Sequence, residues 1–167
     1  MDIVIGSLLL EGGLDDMHKK VQRLLGVLSS SERALDRDQF VRLLANPLFR
    51  ILIARKSYPE NVVGMASIIY IHKLGGTIAE IHDVVVDPTC RGEGLGIRLV
   101  SGLVADARRY ATEIGSDIVI SLTSKPSRVA ANQMYLKLGF TLVARHLRKN
   151  KKDFGTNLYR MTVTPTS

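Results

Sequence analysis

The sequence predicts an α/β protein: a mixed, mostly antiparallel sheet of about seven strands flanked by about four helices. Two periodicities carry that expectation. Apolar residues recur at helical spacing in some stretches, and elsewhere they alternate or run continuously, rich in Ile and Val. These patterns interleave in the order β-α-α-β-β-β-α-β-α-β-β. The chain has 167 residues, no internal repeat and no linker rich in Pro, Gly and Ser. One domain over 1–167 with a substantial core is therefore expected.

Residues 2–10 alternate weakly and read as a first strand. Leu14, Met17, Val21, Leu24, Leu25 and Leu28 share one helical face, so 14–28 should be an amphipathic helix. A second helix is expected from Asp36 to Ala45, with Asp36 as N-cap, Gln39 as its capping-box partner and Asn46-Pro47 as the stop. The period then changes. Leu48–Arg55, Val62–Ile71 and Thr77–Val86 read as consecutive strands, the last two joined by a hairpin at Gly75-Gly76. Leu95, Leu99, Leu103, Ala107, Tyr110 and Ile114 mark a long helix, in which Gly102 costs about 1 kcal/mol relative to Ala. Ile118–Leu122 is the next strand. Ser127–Leu138 is a helix closed by Gly139 as a left-handed C′ residue. Phe140–Leu147 and Asn157–Val163 complete the sheet across a basic connection.

Composition removes several function classes. Hydrophobic residues make up 46% and charged residues 23%, which excludes a disordered chain. A single cysteine excludes a disulfide scaffold and a cysteine-based zinc cluster. His18, His72, His82 and His146 show no metal-ligand spacing, so no metal is expected. No apolar run approaches the ~20 residues of a membrane span. Met1–Leu10 lacks a basic leader and is interrupted by Gly6, so it reads as a strand rather than a signal peptide. A cytoplasmic, reducing location is the expectation. The net charge of +7 points to an anionic partner: a phosphate-bearing cofactor, an acidic substrate or nucleic acid.

The segment with most chemical content is Asp83-Val-Val-Val-Asp-Pro-Thr-Cys-Arg-Gly-Glu-Gly-Leu-Gly-Ile-Arg98. A strand enters a turn, then a glycine loop, then a helix. Glycines let backbone approach a ligand closely, and unpaired amides at a helix start favour anions, so the segment predicts a pyrophosphate cradle. A Rossmann fingerprint fits in neither register, because Ile97 and Leu99 stand where glycine would be needed. The Gly-Lys-Ser/Thr of a Walker A loop is missing. A glycine-rich turn without a ligand is the plainer reading, but repeated glycines make a costly turn, since each loses extra backbone entropy on folding.

Arg91-x-x-Gly94-x-Gly96 resembles the coenzyme A loop of the GCN5-related N-acetyltransferase (GNAT) family. Asn132-Gln-Met-Tyr-Leu-Lys-Leu-Gly-Phe140 is similar to that family's Asn-x-x-Tyr-x-x-x-Gly-Phe segment, and the order of elements agrees with the GNAT fold. The resemblance covers nearly the whole chain and is strongest from Glu80 to Phe140. It implies transfer of an acetyl group from acetyl-CoA to a primary amine of a small molecule or protein. The alternatives are a catalytically inactive acetyl-CoA-binding sensor or scaffold and an amino-sugar-phosphate N-acetyltransferase.

Direct attack requires a neutral amine. A lysine-like amine of pKa ~10.4 is only ~0.04% neutral at pH 7, a deficit of roughly 4–5 kcal/mol, so a base helps. The leaving thiolate, pKa ~8.5, gains from a proton donor, and the developing oxyanion from an N–H.

The resemblance makes Tyr135 the acid, and places Asn132 one turn earlier to bond the pantetheine arm or orient the helix. The plainer readings are a buried amphipathic tyrosine and a polar helix surface. Glu80 falls where the family's histone acetyltransferases carry a glutamate, and arylalkylamine N-acetyltransferases carry histidines at the positions of Glu80 and His82. Alternation puts these two side chains on one strand face. They are expected to act together through water, unless His82 is a core residue and Glu80 a solvated one. The fourth strand of this fold carries a bulge beside the acetyl group. That would turn Asp83 inward and aim the backbone N–H groups of Val84, Val85 and Val86 at the cofactor. Arg91, Gly92, Glu93, Gly94, Leu95, Gly96 and Ile97 complete the expected cofactor-binding set. His82-Asp83-Val84-Val85-Val86 also resembles the Glu-Asp-Val-Val-Val of glucosamine-6-phosphate N-acetyltransferases. His in place of Glu weakens a transfer of their substrate.

Arg145, Arg148, Lys149, Lys151 and Lys152 crowd the 145–152 connection. They could hold an acidic or phosphorylated acceptor or steer CoA, or form a solvated hairpin tip. Aromatic residues are only 5%, and no stacking platform alternates with the basic ones, which argues against nucleic acid. Cys90 reads as a filler beside the loop. Edge strands in this fold often pair between subunits, which allows a homodimer.

Overall fold

The structure, a computed structural model, describes residues 3–8, 13–29, 34–57, 61–146 and 155–166; the side chain of His146 is outside that description. The elements run β1 (Ile3–Ser7), α1 (Leu14–Leu28), α2 (Arg37–Ala45), β2 (Phe49–Lys56), β3 (Asn61–Lys73), β4 (Gly76–Val86), a 3-10 turn (Pro88–Cys90), α3 (Leu95–Ile114), β5 (Ile118–Ser124), α4 (Val129–Lys137), β6 (Thr141–His146) and β7 (Thr156–Val163). The expected order holds throughout; α1 keeps both its expected ends, and no end of an expected element moves by more than three residues. The seven strands are hydrogen-bonded in the order β1-β2-β3-β4-β5-β7-β6. β4 and β5 are parallel; β1–β2, β2–β3, β5–β7 and β6–β7 are antiparallel. This is the seven-stranded mixed sheet with four helices that the sequence predicts.

The chain forms two compact units, Met1–Ile69 with Asp83–Leu103 and Tyr70–His82 with Val104–Ser167. β3, β4 and α3 run through both. In the first unit, α1 and α2 bury Val21, Leu24 and Phe40 against Ile51, Ile53, Val62, Met65 and Val85. Each large side chain buried there contributes roughly 1.5–3 kcal/mol. Asp36 caps α2 as expected, its Oδ1 accepting from Gln39 N at 2.9 Å. Gly102 has a packing reason: a Cβ there would lie 2.7 Å from Leu52 Cδ1. The helix approaches β2 closely enough to need a missing side chain.

In the second unit, buried Ile118, Ile120 and Leu122 alternate along β5, the period-2 signature of a strand with one face in a core. The hairpin between β3 and β4 turns on Leu74-Gly75, and Gly76 opens β4 with φ +122°. The glycine pair thus straddles the turn and the strand start. α4 ends as expected: Gly139 has φ +90°, Gly139 N donates to Leu136 O and Phe140 N to Tyr135 O, each at 3.0 Å. That is a Schellman closure, and it fixes Phe140 edge-on to Tyr135 with ring centres 6.2 Å apart.

Candidate active site

The first unit holds the glycine loop. Asp87 ends β4 and nucleates the turn that follows: its Oδ1 accepts from Thr89 N at 3.0 Å and from Thr89 Oγ1 at 2.7 Å. Its Oδ2 accepts from Arg23 Nη1 of α1 at 2.5 Å, while Arg23 Nη2 reaches Val62 O at 2.7 Å. Arg23 foremost, then Thr89, holds the Asp87 carboxyl down to about 2. The start of the loop is thereby tied to a helix.

Gly92 and Gly94 have φ +86° and +73°, and open space lies where a Cβ would project from either. Gly94 O accepts from Arg98 N at 3.1 Å, so α3 begins there. The N–H groups of Leu95, Gly96 and Ile97 are the first of the helix, without intrahelical acceptors, and no acidic residue stands in its first turn. Arg91, Glu93 and Ile97 are exposed, whereas the Leu95 side chain is buried and leaves only its backbone for a ligand. Arg91 Nε donates to Val86 O at 3.3 Å. Cys90 is buried and free.

Along β4 the backbone changes sides once. Ala79 O accepts from Ser121 Oγ of β5 at 3.4 Å, so Ala79 and the residues two before and two after it turn their polar groups toward β5. Asp87 N instead donates to Val63 O of β3 at 2.8 Å, and a Cβ on Gly64 would lie 3.2 Å from Val85 O. Residues 85 and 87 therefore face β3, although an unbroken strand would give residues 79 and 87 the same side. The extra residue is Asp83, at φ +52°. It is the bulge the resemblance implied. Of the three valines, Val84 and Val86 turn their backbone groups to the edge of β4 opposite β3. The ladder between β4 and β5 pairs Thr77–Ile81 with Ile118–Leu122 and goes no further among the described residues. Asp83 is part-buried, and its Oδ2 accepts from Ser67 Oγ at 2.7 Å.

The second unit holds the other candidates. His82 Nε2 donates to Glu80 Oε2 at 3.3 Å, with both side chains about half exposed. The structure brings this pair together as alternation requires. Tyr135 is buried on α4, packed on Tyr159 at 5.6 Å as well as on Phe140. Burial pushes its hydroxyl up to about 12, and the hydroxyl makes no hydrogen bond among the described residues.

Asn132 is buried and fully engaged. Its Nδ2 donates to Lys125 O and Arg128 O at 2.9 Å and to Pro126 O at 3.3 Å. Its Oδ1 accepts from Tyr159 OH at 2.9 Å and Asn157 Nδ2 at 3.3 Å. These bonds hold the start of α4 to the preceding loop and to β7. Sequence reasoning did not reach Asn157, Tyr159, Ser67 or Arg23; each acts across a strand or helix pairing that no local pattern encodes. Arg145 is exposed on β6 and lines a cleft of about 390 Å3 with Val129, Leu136, Leu142 and Asn157. Arg148, Lys149, Lys151 and Lys152 lie outside the described residues.

The family model of the acetyltransferase (GNAT) family matches residues 14–140. The chain belongs to the GNAT family. This GNAT chain is an N-acetyltransferase that uses acetyl-CoA. No curated protein matches it in sequence. Among solved structures, an acetyltransferase from Trypanosoma brucei is 26% identical with TM-score 0.68, covering 90% of this chain and 100% of that one. NAA60 of Arabidopsis thaliana, bound to a bisubstrate analogue, is 15% identical with TM-score 0.70 over 99% and 100%. Glucosamine-6-phosphate N-acetyltransferase of Arabidopsis thaliana is 20% identical with TM-score 0.69 over 89% and 98%. The residues present fit acetyl-CoA: a left-handed glycine pair with open space beside it, free helix-start amides and an open strand edge offer donors without side-chain obstruction. No helix among the described residues is long and apolar enough to cross a membrane.

Proposed function

We propose that this enzyme moves the acetyl group to a primary amine of a small molecule or protein by direct attack, within one domain spanning 1–167. The observation that carries the reading is the line of outward donors in the first unit. Val84 and Val86 face the open edge of β4, and Gly94 to Ile97 present amides at the start of α3. In this reading Arg91, Gly92, Glu93, Gly94, Leu95, Gly96 and Ile97 surround the diphosphate, Val86 takes the pantetheine arm and Val84 N–H faces the thioester carbonyl. Val85 packs the core behind them.

Acetyl-CoA supplies the activated acetyl thioester. His82 and Glu80 take the amine proton through water, which supplies the neutral nucleophile. The Val84 amide meets the charge that builds on the carbonyl oxygen. Tyr135 donates a hydrogen bond to the leaving sulfur, a role supported by its motif position and by a hydroxyl that makes no hydrogen bond among the described residues. Complete transfer from a tyrosine near 12 to a thiolate near 8.5 would be uphill by about 5 kcal/mol, so the proton that ends on sulfur is the one taken from the amine. Asn132 supports the reaction by fixing α4. A buried free cysteine supports a reducing, cytoplasmic setting, and edge strands β1 and β6 are where a homodimer would pair.

A panel of a peptide N-terminus, free lysine, glucosamine 6-phosphate, a polyamine and an aminoglycoside, followed by CoA release, tests the proposal. Turnover with at least one amine is expected. Binding of acetyl-CoA without turnover of any amine on the panel would overturn the primary-amine acceptor.

A further inference from the structure

We propose that Asp83 is a positioning residue for acetyl transfer, locked by buried Ser67 on β3, and that its left-handed backbone rather than proton chemistry at its carboxylate is what the reaction needs. The inference rests on the acetyl-CoA reading above. Asp83 is the only non-glycine residue with positive φ among the described residues, at +52°. Such a backbone disfavours any residue with a Cβ, though Asp and Asn bear it best because a short polar side chain can find a local partner. Here the partner is across the strand: Ser67 has no solvent exposure, and its hydroxyl donates to Asp83 Oδ2 at 2.7 Å.

A buried hydroxyl without an acceptor is costly, so the bond favours the bulged strand over a regular one that would swing the carboxylate elsewhere. The choice matters because it sets which amides face outward. Side parity on β4 reverses between Ala79 and Val85, and one inserted residue is what reverses it. Without the insertion, residues 83 and 85 would present their amides at the open edge, and Val84 and Val86 would turn to β3. The lock thus decides whether the Val84 amide reaches the acetyl carbonyl.

Gly and Ala at position 83 both delete the carboxylate and differ by one methyl, which matters chiefly where φ is positive. Calorimetry on the full chain with acetyl-CoA and with CoA reads the result. Wild type should favour acetyl-CoA by about 2- to 10-fold, the worth of one hydrogen bond. Asp83→Ala and Ser67→Ala should erase most of that preference while CoA still binds, and Asp83→Gly should retain it. In the Asp83→Gly background, Ser67→Ala should change nothing further. An intact preference in Asp83→Ala, or equal loss in Asp83→Gly, overturns the lock. If Asp83→Ala binds neither carrier, the Ser67→Ala and Asp83→Gly pair decides by the same criteria. A wild type that binds both carriers equally overturns the lock but leaves the carrier reading standing; a wild type that binds neither removes both.

Discussion

The Tyr135 hydroxyl keeps its proton at every physiological pH, because burial pushes it up to about 12. It spends that proton on no bond among the described residues. A tyrosine retained only for packing behaves differently on substitution from one that meets the sulfur. Tyr135→Phe keeps the ring against Phe140 and Tyr159 and removes no hydrogen bond among the described residues, so thermal stability should stay within about 0.5 kcal/mol. Turnover should nevertheless fall at least about tenfold, with acetyl-CoA affinity unchanged, as expected when a donor acts only on a leaving group. Unchanged turnover would confine Tyr135 to packing. Asp87 gives a different kind of residue-scale prediction. Its carboxyl sits near 2, below the unfolded 3.8, so the ionised form is favoured by folding. The stabilisation is complete above pH 3.8 and is lost as pH falls toward 2. Solvent at half-exposed Arg23 reduces it to about 1–2 kcal/mol. Asp87→Asn should therefore lower unfolding free energy by that amount at pH 7 and by progressively less below pH 3.8, as measured by urea titration at both ends.

At the scale of elements, the start of α3 is decided by one backbone dihedral. Gly94 sits at φ +73° with open space beside it, so the folded protein itself offers a side chain room but not a comfortable backbone. Gly94→Val should cost about 1–2 kcal/mol of stability from the left-handed strain alone. It should also raise the acetyl-CoA dissociation constant more than tenfold, because the branched side chain occupies the space proposed for the diphosphate. Calorimetry that finds the affinity unchanged would remove the loop from the cofactor site. This element was legible beforehand because glycine spacing is a local signal, as was the closure of α4 at Gly139. The bulge was legible only through the family resemblance. What holds it was not, since Ser67 and Asp83 meet through the pairing of two strands rather than through spacing along one. Asn132 carries the same lesson: its motif position was visible, but its partners on β7 depend on a strand order in which β7 lies between β5 and β6.

Three elements decide how the molecule as a whole unfolds. β3, β4 and α3 each begin in one compact unit and end in the other, so neither unit can unravel without breaking a strand ladder or a helix midway. That continuity supports one cooperative domain, and the distribution of chromophores makes it testable. The chain has no tryptophan, and four of its five tyrosines, Tyr70, Tyr110, Tyr135 and Tyr159, fall in the second unit, where Tyr70 and Tyr110 pack with tilted rings at 4.4 Å; Tyr58 falls in the sequence range of the first. Near-ultraviolet dichroism therefore reports mainly that unit, and more cleanly in a Tyr58→Phe background, whereas far-ultraviolet dichroism also reports α1 and α2 of the first. In a urea titration the two signals should share one midpoint, as two-state unfolding requires. Acetyl-CoA at a hundredfold excess over its dissociation constant should stabilise by about 2.7 kcal/mol. Its diphosphate contacts are proposed in the first unit, yet the tyrosine midpoint of the second should rise by the same amount. A tyrosine transition that stays put while the helical signal shifts would mean that the units fold separately.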